Sequence, residues 1–288
     1  MDNPKTKIVI FLCLTLALSA VSWVPLLRSG DLSMDGGLNV HLTMWCPGVA
    51  AVITRLITQR NLRGMGWSPR TGRLLGLAYV LPIIYATPVY VLTWAAGYGG
   101  FDPARWVLLP GVPRIVGLGV LMTAGVLGGL ISAIGEEIGW RGLLVPELAK
   151  ITRFRNTALV SGAVWAAWHL PLILGTNYRG EGTQVAFSAI CFAAMIMALG
   201  VVMAWITIKS GSLWPAALLH SVHNLVIQTV LDGATVPGPK TAWLTGEFGI
   251  GLAVTVALAA ALVLRFGGIP EGACRVPSRM NQCETEIA

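Results

Sequence analysis

The sequence predicts an all-α, polytopic membrane protein with about eight transmembrane helices. Of its 288 residues, 55% are hydrophobic and only 11% are charged, and the mean hydropathy is +0.71. Soluble domains carry about 25% charged residues. Several apolar runs also reach the ~20 residues that a helix needs to cross a bilayer. Composition and run length together exclude an ordinary soluble globular domain.

Eight apolar segments define the predicted helices of a single membrane domain that covers residues 1–288. The first segment follows Lys5 and Lys7, and we interpret it as an uncleaved anchor because its apolar run is long and has no clear cleavage site. The predicted segments are approximately Ile8–Leu27, Leu38–Ile57, Leu74–Ala96, Val112–Leu144, Ala158–Leu174, Val185–Ile208, Leu213–Leu231 and Phe248–Phe266.

The basic residues predict the orientation in the cell membrane. With the N-terminus inside, fourteen basic residues fall on cytoplasmic segments: Lys5, Lys7, Arg55, Arg60, Arg63, Arg70, Arg73, Lys150, Arg153, Arg155, Lys209, Arg265, Arg275 and Arg279. Five fall outside: Arg28, Arg105, Arg114, Arg179 and Lys240. This bias predicts that the N-terminus and a C-terminal tail of about residues 267–288 are both cytoplasmic. Since the net charge of +7 is scattered between apolar segments, no nucleic-acid partner is predicted.

The fourth segment contains two adjacent carboxylates in the run ISAIGEEIGWRGLL. A carboxylate in hydrocarbon costs at least ~3 kcal/mol, so such residues usually serve a function. Glu137 and Arg141 are spaced i,i+4 and are predicted to form an ion pair. Glu136 lies about 100° round the helix and is predicted to have no such local partner. We therefore assign Glu137 and Arg141 a supporting role and Glu136 the chemistry.

Glycines on the same segment predict close packing. Gly125 and Gly129, and then Gly135 and Gly139, follow the GxxxG spacing, which allows another helix to approach closely. We therefore expect the two glutamates to face the interior of the helix bundle.

Two other segments carry polar clusters. WAAWHLP contains Trp165 and His169, and HSVHN contains His220, His223 and Asn224. The i,i+4 spacing of Trp165 with His169, and of His220 with Asn224, places each pair on one helix face. Trp165 is predicted to be a cavity wall, and His223 a packing residue behind the site. Three helices thus offer a carboxylate and two or three imidazoles at overlapping depths.

These groups are the parts of a peptide-hydrolysing site. A desolvated Glu136 can act as a general base towards water, and His169 can orient that water or protonate a leaving amine. His220 and Asn224 can donate hydrogen bonds to an oxyanion. Alternatively, Glu136, His169 and His220 could bind Zn²⁺ with a position open for water. The common zinc-protease motif HExxH is absent from the sequence.

The motifs also resemble those of a known family. EEIGWR matches EExxxR, WAAWH matches FxxxH with Trp165 where phenylalanine is usual, and HSVHN matches HxxxN, in the family's order. The chain is thus similar, over about Val112–Leu231, to the CPBP family of intramembrane proteases. That family includes type II CAAX prenyl endopeptidases and bacteriocin-processing or immunity proteins.

The resemblance implies an eight-helix fold with an interior cavity. It implies that Glu136 and His169 activate water and that His220 and Asn224 stabilise the oxyanion. The expected reaction is hydrolysis of a peptide bond in a membrane-associated peptide or protein, with or without a prenyl group. The resemblance leaves the cofactor open between none and a divalent metal such as zinc. The predicted partners are membrane lipids and the substrate.

Two other classes of function compete with this hypothesis. The chain could be a binding or immunity protein that keeps the motifs without hydrolysing peptides, but its intact set of Glu136, His169, His220 and Asn224 argues against that. It could also be a proton- or cation-coupled transporter, because intramembrane glutamates and histidines form proton relays. The sequence shows no inverted repeat of the kind many transporters use.

Overall fold

A computed structural model describes residues 3–69, 72–106 and 110–269, and these residues are mainly α-helical. Two short strands, β1 (Gly99–Phe101) and β2 (Thr235–Pro237), pair antiparallel. The main helices are α1 (Pro4–Ser29), α2 (Leu38–Gln59), α3 (Arg73–Ala95), α4 (Arg114–Ala149), α5 (Phe154–Gly175), α6 (Val185–Ser210), α7 (Trp214–Asn224) and α8 (Ile250–Phe266).

The predicted all-α polytopic membrane fold is confirmed. Within the described ranges, the six helices α1 to α6 are long and apolar enough to cross a membrane. Helix α7 is extended by a π-helical turn, Leu225–Leu231, and α8 has 17 residues, so both are shorter. The count of eight spans stays a prediction. Arg70 and residues 270–288 of the predicted cytoplasmic tail lie outside the described residues.

Local sequence signals set the ends of α1. The Asn3 side chain accepts a hydrogen bond from the backbone N–H of Lys5, and Pro4 occupies the first helical position, where its missing N–H does no harm. Gly30 ends the helix with φ at 70°, a left-handed conformation that glycine adopts without strain. Helix α1 therefore begins and ends where its capping residues predict.

Helix α4 packs closely between α2 and α7, as its glycines predict. A Cβ atom at Gly135 would lie 2.9 Å from the Met44 carbonyl oxygen of α2. A Cβ atom at Gly129 would lie 2.8 Å from the Ser221 hydroxyl of α7. These approaches require glycine, because such distances are too short for an extra carbon. The packing turns the glutamates of α4 towards the interior of the bundle.

A buried ion cluster holds three helices together at the end of the bundle where α2 and α4 finish. The Glu147 carboxylate is fully buried and accepts a 2.7 Å hydrogen bond from Lys150 Nζ. Arg55 Nη1 of α2 lies 2.9 Å from the same oxygen, and Lys7 Nζ of α1 lies 3.9 Å from it. The three cations compensate the buried carboxylate of Glu147, and the shared contact fixes α1, α2 and α4 relative to one another.

Candidate active site

One cavity collects the polar residues that the three motifs contribute. Glu136, Trp165, His169, His220 and Asn224 all line an interior cavity of about 420 Å³. They reach it from three helices, α4, α5 and α7. The cavity residues at its other end come from the loop between α1 and α2 and from the first turns of α2. The fold therefore brings the three motifs to a single site.

The Glu136 carboxylate is held by two indole groups. Trp165 Nε1 donates a 2.7 Å hydrogen bond to Glu136 Oε2, and Trp140 Nε1 donates a 3.2 Å bond to the same oxygen. The other oxygen, Oε1, accepts no hydrogen bond from the described residues. As predicted, Glu136 has no ion-pair partner on its own helix like that of Glu137, but the hydrogen bond from Trp140, one turn away at i+4, was not predicted. The partners are neutral donors, which stabilise a buried carboxylate without supplying a counter-charge.

Glu137 lies behind the cavity wall and is fully buried. Arg141 Nη1 is 3.0 Å from both of its oxygens, so the predicted ion pair is present. His220 Nδ1 also donates a 2.9 Å hydrogen bond to Glu137 Oε1, a contact that sequence reasoning missed. Because the carboxylate fixes the proton on Nδ1, His220 presents its other nitrogen, Nε2, as the free ring nitrogen.

His169 has a similarly fixed imidazole. Its Nδ1 donates a 2.9 Å hydrogen bond to the backbone carbonyl of Trp165, one turn earlier in α5. The rings of Trp168 and Phe192 pack against it with centroids 4.8 and 5.1 Å away. Since the carbonyl can only accept, the proton lies on Nδ1 and Nε2 carries a lone pair. His169 can thus accept a hydrogen bond from water in the cavity.

Asn224 offers an uncommitted amide. It is the last residue of α7, one turn after His220, and the π-helical turn Leu225–Leu231 follows it directly. Its side chain lines the cavity and has no hydrogen-bond partner among the described residues. A polar amide in an apolar setting without a protein partner is available to bind a ligand.

The structure adds Glu247, which the motif analysis missed. This side chain precedes α8, is 6% exposed and lines the same cavity. Gln228 Nε2 donates a 3.1 Å hydrogen bond to it, Tyr178 donates one of 3.3 Å, and His223 Nε2 lies 3.3 Å away. Burial acts to raise the pKa of the Glu247 carboxyl group, but the contacts with His223 and the hydrogen bond from Gln228 outweigh burial, so that the pKa is lowered. The sequence signal that could have identified Glu247 is its position as an acidic residue at the edge of the eighth apolar segment.

His223 makes its polar contacts with Tyr85 and Glu247. Its Nδ1 lies 2.5 Å from the Tyr85 hydroxyl, and its Nε2 faces Glu247. His223 also lines the cavity, whereas the sequence predicted a packing residue behind the site. Its functional role stays a prediction.

A larger cavity of about 780 Å³ adjoins the first one. The two share Leu32, Tyr178, Gln228 and Glu247 as wall residues. Asp232 lines the second cavity, and burial raises the pKa of its carboxyl group to about 6, against the lowering effect of a 2.6 Å hydrogen bond from Tyr90.

The structure does not gather Glu136, His169 and His220 into a metal-binding group within the described residues. Over residues 3–69, 72–106 and 110–269, no group of three histidine, cysteine, aspartate or glutamate side chains could hold a metal ion. Glu136 Oε1 and the Nε2 atoms of His169 and His220 are uncommitted, but they are not brought together as one metal-binding group. The zinc alternative for Glu136, His169 and His220 therefore gains no support from this geometry.

Comparison with known proteins matches the part of the chain that holds the site. Residues 118–226 match the family model for type II CAAX prenyl endopeptidases of the Rce1-like kind. A CAAX prenyl protease 2 from Methanococcus maripaludis is 30% identical over 99 residues, which are 33% of this chain and 36% of that relative. The chain thus spans about a third of the length of the relative it matches. The resemblance predicted from the three motifs is confirmed: residues 118–226 are similar to the type II CAAX prenyl endopeptidases of the Rce1-like kind.

Proposed function

We propose that the protein is an intramembrane endopeptidase of the CAAX type, which hydrolyses a peptide bond in a membrane-associated peptide or protein. One observation carries the proposal. Glu136 has one oxygen held by two indoles and the other uncommitted, in the same cavity as His169, His220 and Asn224. The match of residues 118–226 to prenyl endopeptidases supports the same reaction.

In the proposed reaction, a water molecule binds between Glu136 Oε1 and His169 Nε2. Glu136 takes a proton from the water as its oxygen attacks the carbonyl carbon of the substrate. The carbonyl oxygen becomes an oxyanion. When the C–N bond breaks, the proton held by Glu136 passes to the leaving amine, which restores the carboxylate.

His220 and Asn224 stabilise the oxyanion in this proposal. The Asn224 amide donates one hydrogen bond. His220 donates another from Nε2 when its imidazole is protonated, and the Glu137 carboxylate at Nδ1 stabilises that cation. Arg141 balances the charge of Glu137 and keeps it in place. The oxyanion site in this proposal thus depends on the buried contacts of Arg141 with Glu137 and of Glu137 with His220.

The walls of the cavity suggest the class of substrate. Leu172, Ile196 and Leu199 line it next to the polar groups, so an apolar or lipid-bearing peptide would be accommodated. The relative from Methanococcus is a CAAX prenyl protease, and we propose a prenylated C-terminal tail as the first substrate to try.

A comparison of peptide termini tests the function without assuming a substrate. Membrane proteomes of cells that express the wild type, Glu136→Gln or His169→Ala would be compared at matched protein levels. We expect new termini with the wild type alone, because both variants lose a water-activating group. Asp102→Asn, a carboxylate outside the cavity, serves as the matched control and should give the wild-type termini.

Identical termini for the wild type and Glu136→Gln, with both proteins folded and abundant, would contradict the proposal. Such a result would favour the binding or immunity hypothesis. Adding farnesylated and unmodified forms of one tail peptide to purified protein then shows whether the lipid is required.

A further inference from the structure

Trp165 connects the two residues that activate water in the proposed reaction. Its indole Nε1 donates the 2.7 Å hydrogen bond to Glu136, and its backbone carbonyl accepts the 2.9 Å bond from His169 Nδ1. Any residue at this position would supply the carbonyl, but only a side chain with a suitable N–H reaches the carboxylate. The usual phenylalanine of the FxxxH motif has no such donor.

The indole of Trp165 is itself held in place. The side chain is 1% exposed, and the Arg141 guanidinium carbon lies 4.1 Å from its ring centre in a cation–π contact. The His220 ring also packs against it in an edge-on contact, with centroids 5.5 Å apart. Glu137 in turn fixes both Arg141 and His220. The N–H of Trp165 therefore has one defined direction, towards Glu136 Oε2.

The geometry distinguishes the two oxygens of Glu136. Two N–H donors occupy Oε2, and the bond from Trp165 is the shorter of the two, at 2.7 Å against 3.2 Å from Trp140. A carboxylate with one oxygen fixed cannot rotate to exchange its oxygens without breaking those bonds. Oε1 is left to meet water, at a constant position relative to His169.

We propose that Trp165 is a positioning residue, whose indole N–H holds Glu136 Oε2 so that Oε1 is the general base. The inference rests on the proposed hydrolase function and goes beyond the cavity-wall role predicted for this side chain. Within the described residues, this direct link between Glu136 and α5 is a single hydrogen bond, so one atom can be changed to test it.

The test replaces the N–H while keeping the shape of the ring. β-(3-Benzothienyl)alanine at position 165 has a sulfur atom where tryptophan has N–H, and Trp165→Phe gives the residue usual in the motif. The substrate is the one that the comparison of termini identifies. We expect both variants to lower kcat by about 10- to 100-fold, since small misplacements of catalytic groups cost up to ~10²-fold. In the benzothienyl variant KM should change by less than about threefold, because its ring keeps the shape of the cavity wall.

Two further variants serve as controls. Trp23→Phe also shortens a buried tryptophan, and the Trp23 indole nitrogen has no hydrogen-bond partner among the described residues, so kcat should be unchanged. Trp140→Phe removes the longer of the two bonds and should lower kcat less than Trp165→Phe does.

The outcomes separate the inference from the function. Suppose that the wild type hydrolyses the substrate and that the benzothienyl variant has the wild-type kcat, or differs in KM alone. Trp165 then only lines the cavity, and the inference is overturned. If the wild type shows no turnover above Glu136→Gln, the proposed function itself fails. Infrared spectroscopy gives a readout that needs no turnover. The difference spectrum between each protein and its Glu136→Gln form isolates the carboxylate bands of Glu136. These bands should shift between the wild type and the benzothienyl variant, and unshifted bands would contradict the inference.

Discussion

The adjacent residues Glu136 and Glu137 have different surroundings because a helix rotates about 100° between them. Glu136 faces the cavity and is held by the neutral indoles of Trp140 and Trp165. Glu137 faces away, where Arg141 compensates its charge and His220 donates to it. A buried ion pair with a further donor is satisfied, whereas a carboxylate with an unused oxygen in a cavity is available for chemistry.

The uncommitted amide of Asn224 leads to the first prediction. Asn224→Ala should lower kcat by ~10²-fold or more, because an oxyanion donor acts mainly in the transition state. The measurement is kcat on the identified substrate, with Asn61→Ala in the α2–α3 loop as the matched control. A fully active Asn224→Ala would remove the oxyanion role from this residue.

The buried pair of Glu137 and Arg141 leads to the second prediction. Arg141→Ala should destabilise the fold by ~3–5 kcal/mol, since it leaves Glu137 buried without its counter-charge. The yield of folded protein and its Tm in detergent should therefore fall more than the activity per folded molecule. Arg265→Ala, at the exposed end of α8, is the control and should leave Tm unchanged. Normal yield and Tm for Arg141→Ala would contradict the structural role.

At the scale of elements, irregular turns in α4 and α7 lie next to the site. The π-helical turn Trp140–Leu144 begins three residues after Glu137, and the turn Leu225–Leu231 begins directly after Asn224. A π-helical turn changes the rotation of the side chains that follow it, and such turns occur often at functional sites. Here they permit the motif residues to face the cavity while the following turns pack elsewhere.

The close contact between α2 and α4 leads to the third prediction. Gly135→Ala should destabilise the protein by about 1–3 kcal/mol, because its new Cβ would lie 2.9 Å from Met44 O and from Trp45 Cγ. Gly128→Ala on the same helix is the matched control, since a Cβ there meets nothing within 4 Å. That change should be neutral or slightly stabilising, as alanine favours helix. Equal Tm values for the two variants would contradict the tight packing.

At the scale of the whole molecule, the two ends of the bundle differ. The loop between α1 and α2 contributes Leu32 and Gly36 to the cavity wall. The opposite end of the bundle holds the buried cluster of Glu147 with Arg55 and Lys150. The sequence assigns most of the basic residues to the end that holds this cluster, and it predicts that end to be cytoplasmic.

This asymmetry leads to the fourth prediction, the orientation in the membrane. In intact cells, an impermeant thiol reagent should label Ser33→Cys in the α1–α2 loop, above the background of the unsubstituted chain. It should label Asn61→Cys in the α2–α3 loop only after the membrane is made permeable. The reverse pattern would place the N-terminus outside and the α1–α2 loop in the cytoplasm.

The sequence by itself determined the features that depend on neighbours along the chain. Hydropathy gave the apolar segments, i,i+4 spacing gave the pair of Glu137 with Arg141, and glycine spacing predicted the close contacts of α4. These signals are local, because a residue one turn away shares a helix face whatever the rest of the chain does. The three motifs likewise predicted which side chains would share a cavity.

Only the tertiary structure decided which atoms meet across helices. Trp165 lies 29 residues from Glu136 and His220 lies 83 residues from Glu137, and no periodicity predicts either hydrogen bond. Glu247 enters the cavity from a segment outside the motifs. Such contacts depend on the rotation of each helix about its axis and on the distance between neighbouring helices. The glycine contacts set the distances, and the π-helical turns change the rotation.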